Sequence, residues 1–128
     1  MEGFLGRYAP QLYALLRIVA GLLFACHGAQ KLFGVLGGQQ VPLMGMMGLA
    51  GIIEFAAGLL IAIGFLTSIA AFVASGEMAV AYFMAHAPRG ALPIQNGGEL
   101  AVLYCFVFLY IAARGAGTWA IDRAPARR

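Results

Sequence analysis

A chain of 128 residues has room for one domain. Hydrophobic residues make up 62% of it and charged residues 10%, against roughly 45–50% and 25% in a soluble domain, which excludes an ordinary water-soluble fold. The net charge of +3 is small and four arginines crowd into the last fifteen residues, too few and too local for a nucleic-acid surface but suited to a tail meeting anionic lipid headgroups.

Spanning helices need about 20 mainly apolar residues. Four are predicted, at 12–36, 44–66, 68–87 and 98–114. The first follows Glu2 and Arg7 and is too long for a signal core, so no cleavable signal peptide is expected. At 100° per residue, Arg17, Ala20, Gly21, Phe24, His27, Gly28 and Lys31 share one stripe of this helix, with Ile18, Leu22 and Leu23 behind it for lipid. A glycine-bearing joint, 37–42, leads to the second span. There Glu54 shares its face with Met47, Ala50, Gly51, Ala57, Gly58 and Ile61, and Leu49, Ile52, Leu59 and Ile63 lie behind. Small residues beside a charge and bulky aliphatics opposite form the pattern of a face packed closely on another helix.

The third span starts almost at once, after the joint 64–68. It carries Glu77 on a face with Ala70, Ala74 and Ala81. Pro88 and Pro93 disfavour helix nearby, so the joint 86–93 is predicted to be the one real loop. In the fourth span Glu99 falls with Gln95, Asn96, Phe106 and Tyr110. Connections this short make sequential helices antiparallel neighbours. The expected fold is all-α: an integral-membrane four-helix antiparallel bundle, a single transmembrane domain over residues 1–128.

Basic residues near the span ends set orientation. Arg7, Arg114, Arg123, Arg127 and Arg128 fall on one side, and Arg89 and Lys31 on the other. Both termini are therefore expected in the cytoplasm, with Trp119 as an interfacial anchor.

Between Glu2 and Asp122 the only acidic residues are Glu54, Glu77 and Glu99, one per span. A carboxylate near a helix centre costs roughly 3 kcal/mol to insert, so such groups face a bundle interior and pair, or line a polar path. The candidates for ligand binding or proton relay are Arg17, His27, Lys31, Glu54, Glu77, Glu99, Gln95 and Asn96. Phe24, Phe106 and Tyr110 are candidates for an aromatic pocket. Two firm cations, Arg17 and Lys31, face three carboxylates, so at least one of Glu54 and Glu77 is expected to carry a proton. Arg17 either pairs in this cluster or snorkels to headgroups. No metal site is expected, since no second histidine sits at ligand spacing beside His27. Cys26 and Cys105 form no CxxC pair and read as buried small hydrophobes off the polar face.

Three pieces carry a family resemblance: the HGxxKL run from His27 to Leu32, the GxxEFxxG run from Gly51 to Gly58, and the GxGxWxxD ending from Gly115 to Asp122. With the segments around them the chain resembles the DoxX family of small bacterial and archaeal membrane proteins over nearly its whole length. The resemblance implies a four-helix inner-membrane protein. It also implies a connection to thiosulfate:quinone oxidoreductases and to sulfur or oxidative-stress chemistry in membrane complexes.

Three functions stay open. One is a membrane redox component that binds a quinone headgroup or a small sulfur species and works with membrane or cytoplasmic redox subunits. The second is a scaffold or assembly chaperone whose charges fix helix register, in contact with partners or with copies of itself. The third is a small-molecule carrier. Nothing in the chain holds an electron carrier, so an enzyme would need a further subunit.

Overall fold

The structure is a computed structural model that describes residues 1–122. Among these, all regular structure is helical. Helix α1, Ala9–Phe33, is preceded by the helical turns Glu2–Leu5 and Gly6–Tyr8. It stops at Gly34, whose φ of 66° is the left-handed conformation glycine adopts without strain. Helix α2, Met46–Ile63, stops the same way at Gly64, whose N–H bonds the Leu60 and Ile61 carbonyls. Helix α3, Thr67–Ala81, runs on into a π turn, Tyr82–His86, and a 3-10 turn, Ala87–Arg89. After a short helical turn, Pro93–Asn96, comes helix α4, Glu99–Arg114. Three rods, Glu2–Phe33, Met46–Ile63 and Thr67–Arg89, are long and apolar enough to cross a membrane. Helix α4 has 16 residues and reaches about 24 Å at 1.5 Å per residue.

Glycine lets α1 and α2 touch backbone to backbone. A Cβ at Gly28 would lie 2.3 Å from the Phe55 nitrogen, and one at Gly21 would lie 2.6 Å from the Ala62 nitrogen. Early residues of α1 therefore meet late residues of α2, and the pair is antiparallel. Lipid tails are as apolar as leucine, so such close packing, rather than a hydrophobic drive, holds helices together in a bilayer. Helices α3 and α4 are also antiparallel: Ser75 donates to the Cys105 carbonyl at 2.7 Å, and the Asn96 amide donates to the Tyr82 hydroxyl at 3.0 Å. Rings fill the seam between α1 and α4. Phe24 lies 4.8 Å from Phe108 and 5.4 Å from Tyr104, centroid to centroid. Leu22, Leu23, Ile52, Leu59, Ile69 and Leu103 point outward and are exposed, as lipid-facing residues would be.

The connections differ from expectation. The joint between α3 and α4 is mostly helical turns, because Pro88 and Pro93 stand in the first turn of each, where a missing N–H costs nothing. The long non-helical connection is instead the first, 34–45. The third span is not uniform α-helix either, since it ends in the π turn. Arg123, Arg127 and Arg128, counted for orientation, lie outside the described residues.

Candidate functional site

The polar residues gather into two separate assemblies. The first surrounds a cavity of about 300 Å³ bounded by all four helices. From α1, His27 and Lys31 reach it one helical turn apart. From α2 comes Glu54, and from α3 comes Glu77; Tyr104 of α4 and His86 of the π turn complete its polar lining. Lys31 Nζ and Glu54 Oε1 are 2.6 Å apart, with the glutamate side chain 3% exposed and the lysine 21%. Gly51 makes room for this pair, since a Cβ there would lie 2.9 Å from the Lys31 Cβ. An ion pair so deep holds only with close geometry, and removing one partner strands the other's charge.

Glu77 is different. Both of its carboxyl oxygens are buried and neither has a hydrogen-bond partner. A buried polar group in that state costs free energy, which a bound molecule offering polar atoms would recover. The walls around it are apolar: Phe24, Met78, Ala81 and Ala101 face the same space. The His27 ring stands edge-on to Tyr104, centroids 6.1 Å apart. His86 Nδ1 lies 3.3 Å from the Asn96 carbonyl oxygen and ties the π turn to the start of α4.

The second assembly is a clasp at the other end of α1. Arg17 is fully buried, and among the described residues no carboxylate is bonded to it, although the Asp122 charge is near enough to act on it. Its Nε donates to the Ile61 carbonyl at 3.0 Å. Its terminal nitrogens donate to Thr118 at 2.8 Å, Trp119 at 2.6 Å, Ala62 at 3.5 Å and Ala116, all backbone carbonyls. The guanidinium thus joins the C-terminal end of α2 to the irregular strap that follows α4. The strap is pinned further by Tyr13, whose hydroxyl donates to the Gly115 carbonyl at 2.6 Å. Farther along it Asp122 accepts from the N–H groups of Thr67 at 2.9 Å and Leu66 at 3.0 Å. Those bonds, the Thr67 N–H foremost, hold the Asp122 carboxyl below the usual carboxylate range. The GxGxWxxD ending is thus occupied in joining helix ends.

Of the residues singled out in sequence, Phe24, His27, Lys31, Glu54 and Glu77 come together at the cavity. Arg17 goes to the clasp, where it neither pairs with a glutamate nor reaches lipid headgroups. Glu99 is exposed and borders a separate surface hollow with Phe106. Gln95 is exposed, and Asn96 is buried but spends its side chain on Tyr82, Gly90 and the Gly98 N–H. Phe106 and Tyr110 point outward, 65% and 56% exposed. The aromatic residue of α4 at the cavity is Tyr104. It could have been found from the stripe Ala101, Tyr104, Phe108 and Ile111, spaced three, four and three, which is the buried face of α4. Cys26 is exposed and Cys105 is half-buried, its sulfur 3.5 Å from the Ser75 hydroxyl.

No solved structure matches the chain. Among curated proteins it is similar to an uncharacterized protein of Haemophilus influenzae, 43% identical over 125 residues, covering 92% of this chain and 93% of the relative. The family model for DoxX matches residues 12–87, a stretch that contains Arg17, the Lys31–Glu54 pair, Glu77 and the whole π turn. With the model matching more than half its length, this chain belongs to the DoxX family.

Proposed function

We propose that the protein is a four-helix, multi-pass component of the bacterial or archaeal inner membrane that binds a small planar ligand in its central cavity. A quinone headgroup is the ligand the chemistry fits best, and the protein would serve a redox complex whose electron carriers reside in another subunit. The observation that carries this reading is the cavity itself: a fixed ion pair and an unpartnered carboxyl against a floor of aromatic and aliphatic side chains. Ligand pockets typically combine a mostly apolar lining with a few convergent polar groups, and begin at about 300 Å³. Tyr104, backed by Phe24 and Phe108, gives the aromatic wall, and Lys31, His27 and Glu77 offer hydrogen bonds to ring oxygens.

Thermal unfolding with short-chain ubiquinone and menaquinone analogues tests it. The analogues are expected to raise the melting temperature of the wild type, and Lys31→Met or Glu54→Gln to abolish the rise. An unchanged melting temperature with every analogue removes quinone as the ligand. The directly bonded Lys31–Glu54 pair also supports a scaffold reading, in which the charges fix helix register. That reading predicts that Glu54→Gln loses assembly or expression while the intact protein responds to no analogue.

A further inference from the structure

Two carboxyls and one ammonium meet at the cavity, and only one of the carboxyls is paired. Lys31 and Glu54 neutralise each other at 2.6 Å. Among the described residues no second lysine or arginine lines the space. The other groups that face it are His27 from α1, His86 from the π turn and Tyr104 from α4, and none of these is bonded to Glu77. An ionised Glu77 would hold its oxygens away from water beside a second carboxylate, Glu54, and the nearby cation, Lys31, is already bonded to that neighbour. A carboxylic acid there costs far less, and it presents one donor and one acceptor.

We propose that Glu77 works as a neutral carboxylic acid that donates a hydrogen bond to the bound ligand, while Glu54 stays committed to Lys31 as a fixed wall. The ligand class follows: a molecule with an uncharged carbonyl or hydroxyl oxygen at its polar end, and not an anion, which would meet the Lys31 charge already taken. The ligand part of this assignment rests on the cavity being a ligand site, as proposed above. The protonation part does not.

A glutamine side chain reproduces the hydrogen-bonding set of a neutral carboxyl, one acceptor and a donor, without any charge. Glu77→Gln is therefore expected to bind a short-chain quinone analogue within about threefold of the wild type, whereas Glu77→Leu binds about tenfold more weakly, the loss of one such hydrogen bond at full strength. If Glu77 acts as an anion instead, Glu77→Gln loses binding as severely as Glu77→Leu, and the proposal is overturned.

Infrared spectroscopy of the ligand-free protein in detergent gives the independent arm. A protonated-carboxyl band is expected at neutral pH, shifted by deuterium exchange and absent in Glu77→Gln. No such band in the wild type, or a band that survives Glu77→Gln, overturns the assignment even if quinone analogues bind. A band with the expected behaviour and no analogue binding keeps Glu77 neutral and removes only the quinone reading.

Discussion

At the scale of the residue, Arg17 shows how a buried charge can be satisfied mainly by backbone carbonyls, with no carboxylate among the described residues bonded to it. Five carbonyl contacts surround the guanidinium, and hydrogen bonds to a charged group are worth about 1.5–3 kcal/mol each. Arg17→Met is expected to lower stability by about 3–5 kcal/mol, read as a large drop in melting temperature. Arg17→Lys should recover only part of it, because one ammonium cannot reach carbonyls spread over two segments. Asp122 makes a weaker, pH-dependent contribution at the same clasp. Its folded carboxyl titrates below its unfolded value, so its contribution is full above about pH 4 and fades as pH falls through the lower folded value. Asp122→Asn should lower the melting temperature at pH 7 and flatten its fall between about pH 5 and 3. The sequence put Arg17 correctly on the inner stripe of α1 but could not say which inner surface it met. Its acceptors are backbone carbonyls 44 to 102 positions away, and backbone carbonyls leave no mark in a sequence. The Lys31–Glu54 pair was more legible, because opposite charges on the small-residue faces of two adjacent spans have few other partners.

At the scale of the element, the α1–α2 contact is set by glycines that leave no room. Gly28→Ala places a methyl group 2.3 Å from the Phe55 backbone nitrogen, and backbone cannot turn aside as a flexible side chain can. Helix separation is expected, with a cost of about 1–3 kcal/mol and a loosened Lys31–Glu54 pair. Gly76→Ala is the control: nothing lies within 4 Å of its Cβ position, so it should be neutral or stabilise by up to about 1 kcal/mol. Detergent melting of the two variants side by side checks both. The three long rods were readable because apolar runs of this length have one meaning in a membrane protein. Two local details were not. Prolines taken as loop formers occupy first-turn positions, where they favour helix. The face of α4 was chosen from Glu99, on the rule that a charge in a span looks inward. Yet Glu99 stands in the first turn of its helix, where a carboxylate is favoured by the helix dipole and needs no interior partner.

At the scale of the molecule, the clasp leaves a single choice of orientation. Arg17, Tyr13 and Asp122 bind the start of α1, the α2–α3 joint and the strap after α4 at one end, so these three lie on the same side of any bilayer. The 34–45 connection and the His86 rim of the cavity lie at the other end. Basic residues should decide between the two orientations, and burial removes Lys31 from the count and keeps Arg17 out of it. Arg17 is spent on carbonyls and Lys31 on Glu54. Arg7 and Arg114 remain at the clasp end, against Arg89 at the other, so the clasp end is expected to face the cytoplasm. The check uses a Cys26→Ser, Cys105→Ser background and two single cysteines at exposed positions, Gly3→Cys and Gln39→Cys. A membrane-impermeant maleimide applied to intact cells should label Gln39→Cys, and Gly3→Cys only after the cells are opened. The reverse pattern turns the protein over and puts the His86 rim on the cytoplasmic side. Labelling of both positions in intact cells is incompatible with an odd number of spans between them. In the expected orientation the His86 rim of the cavity lies toward the outer half of the membrane, so a ligand or redox partner acting there would approach from the non-cytoplasmic face or from the outer leaflet.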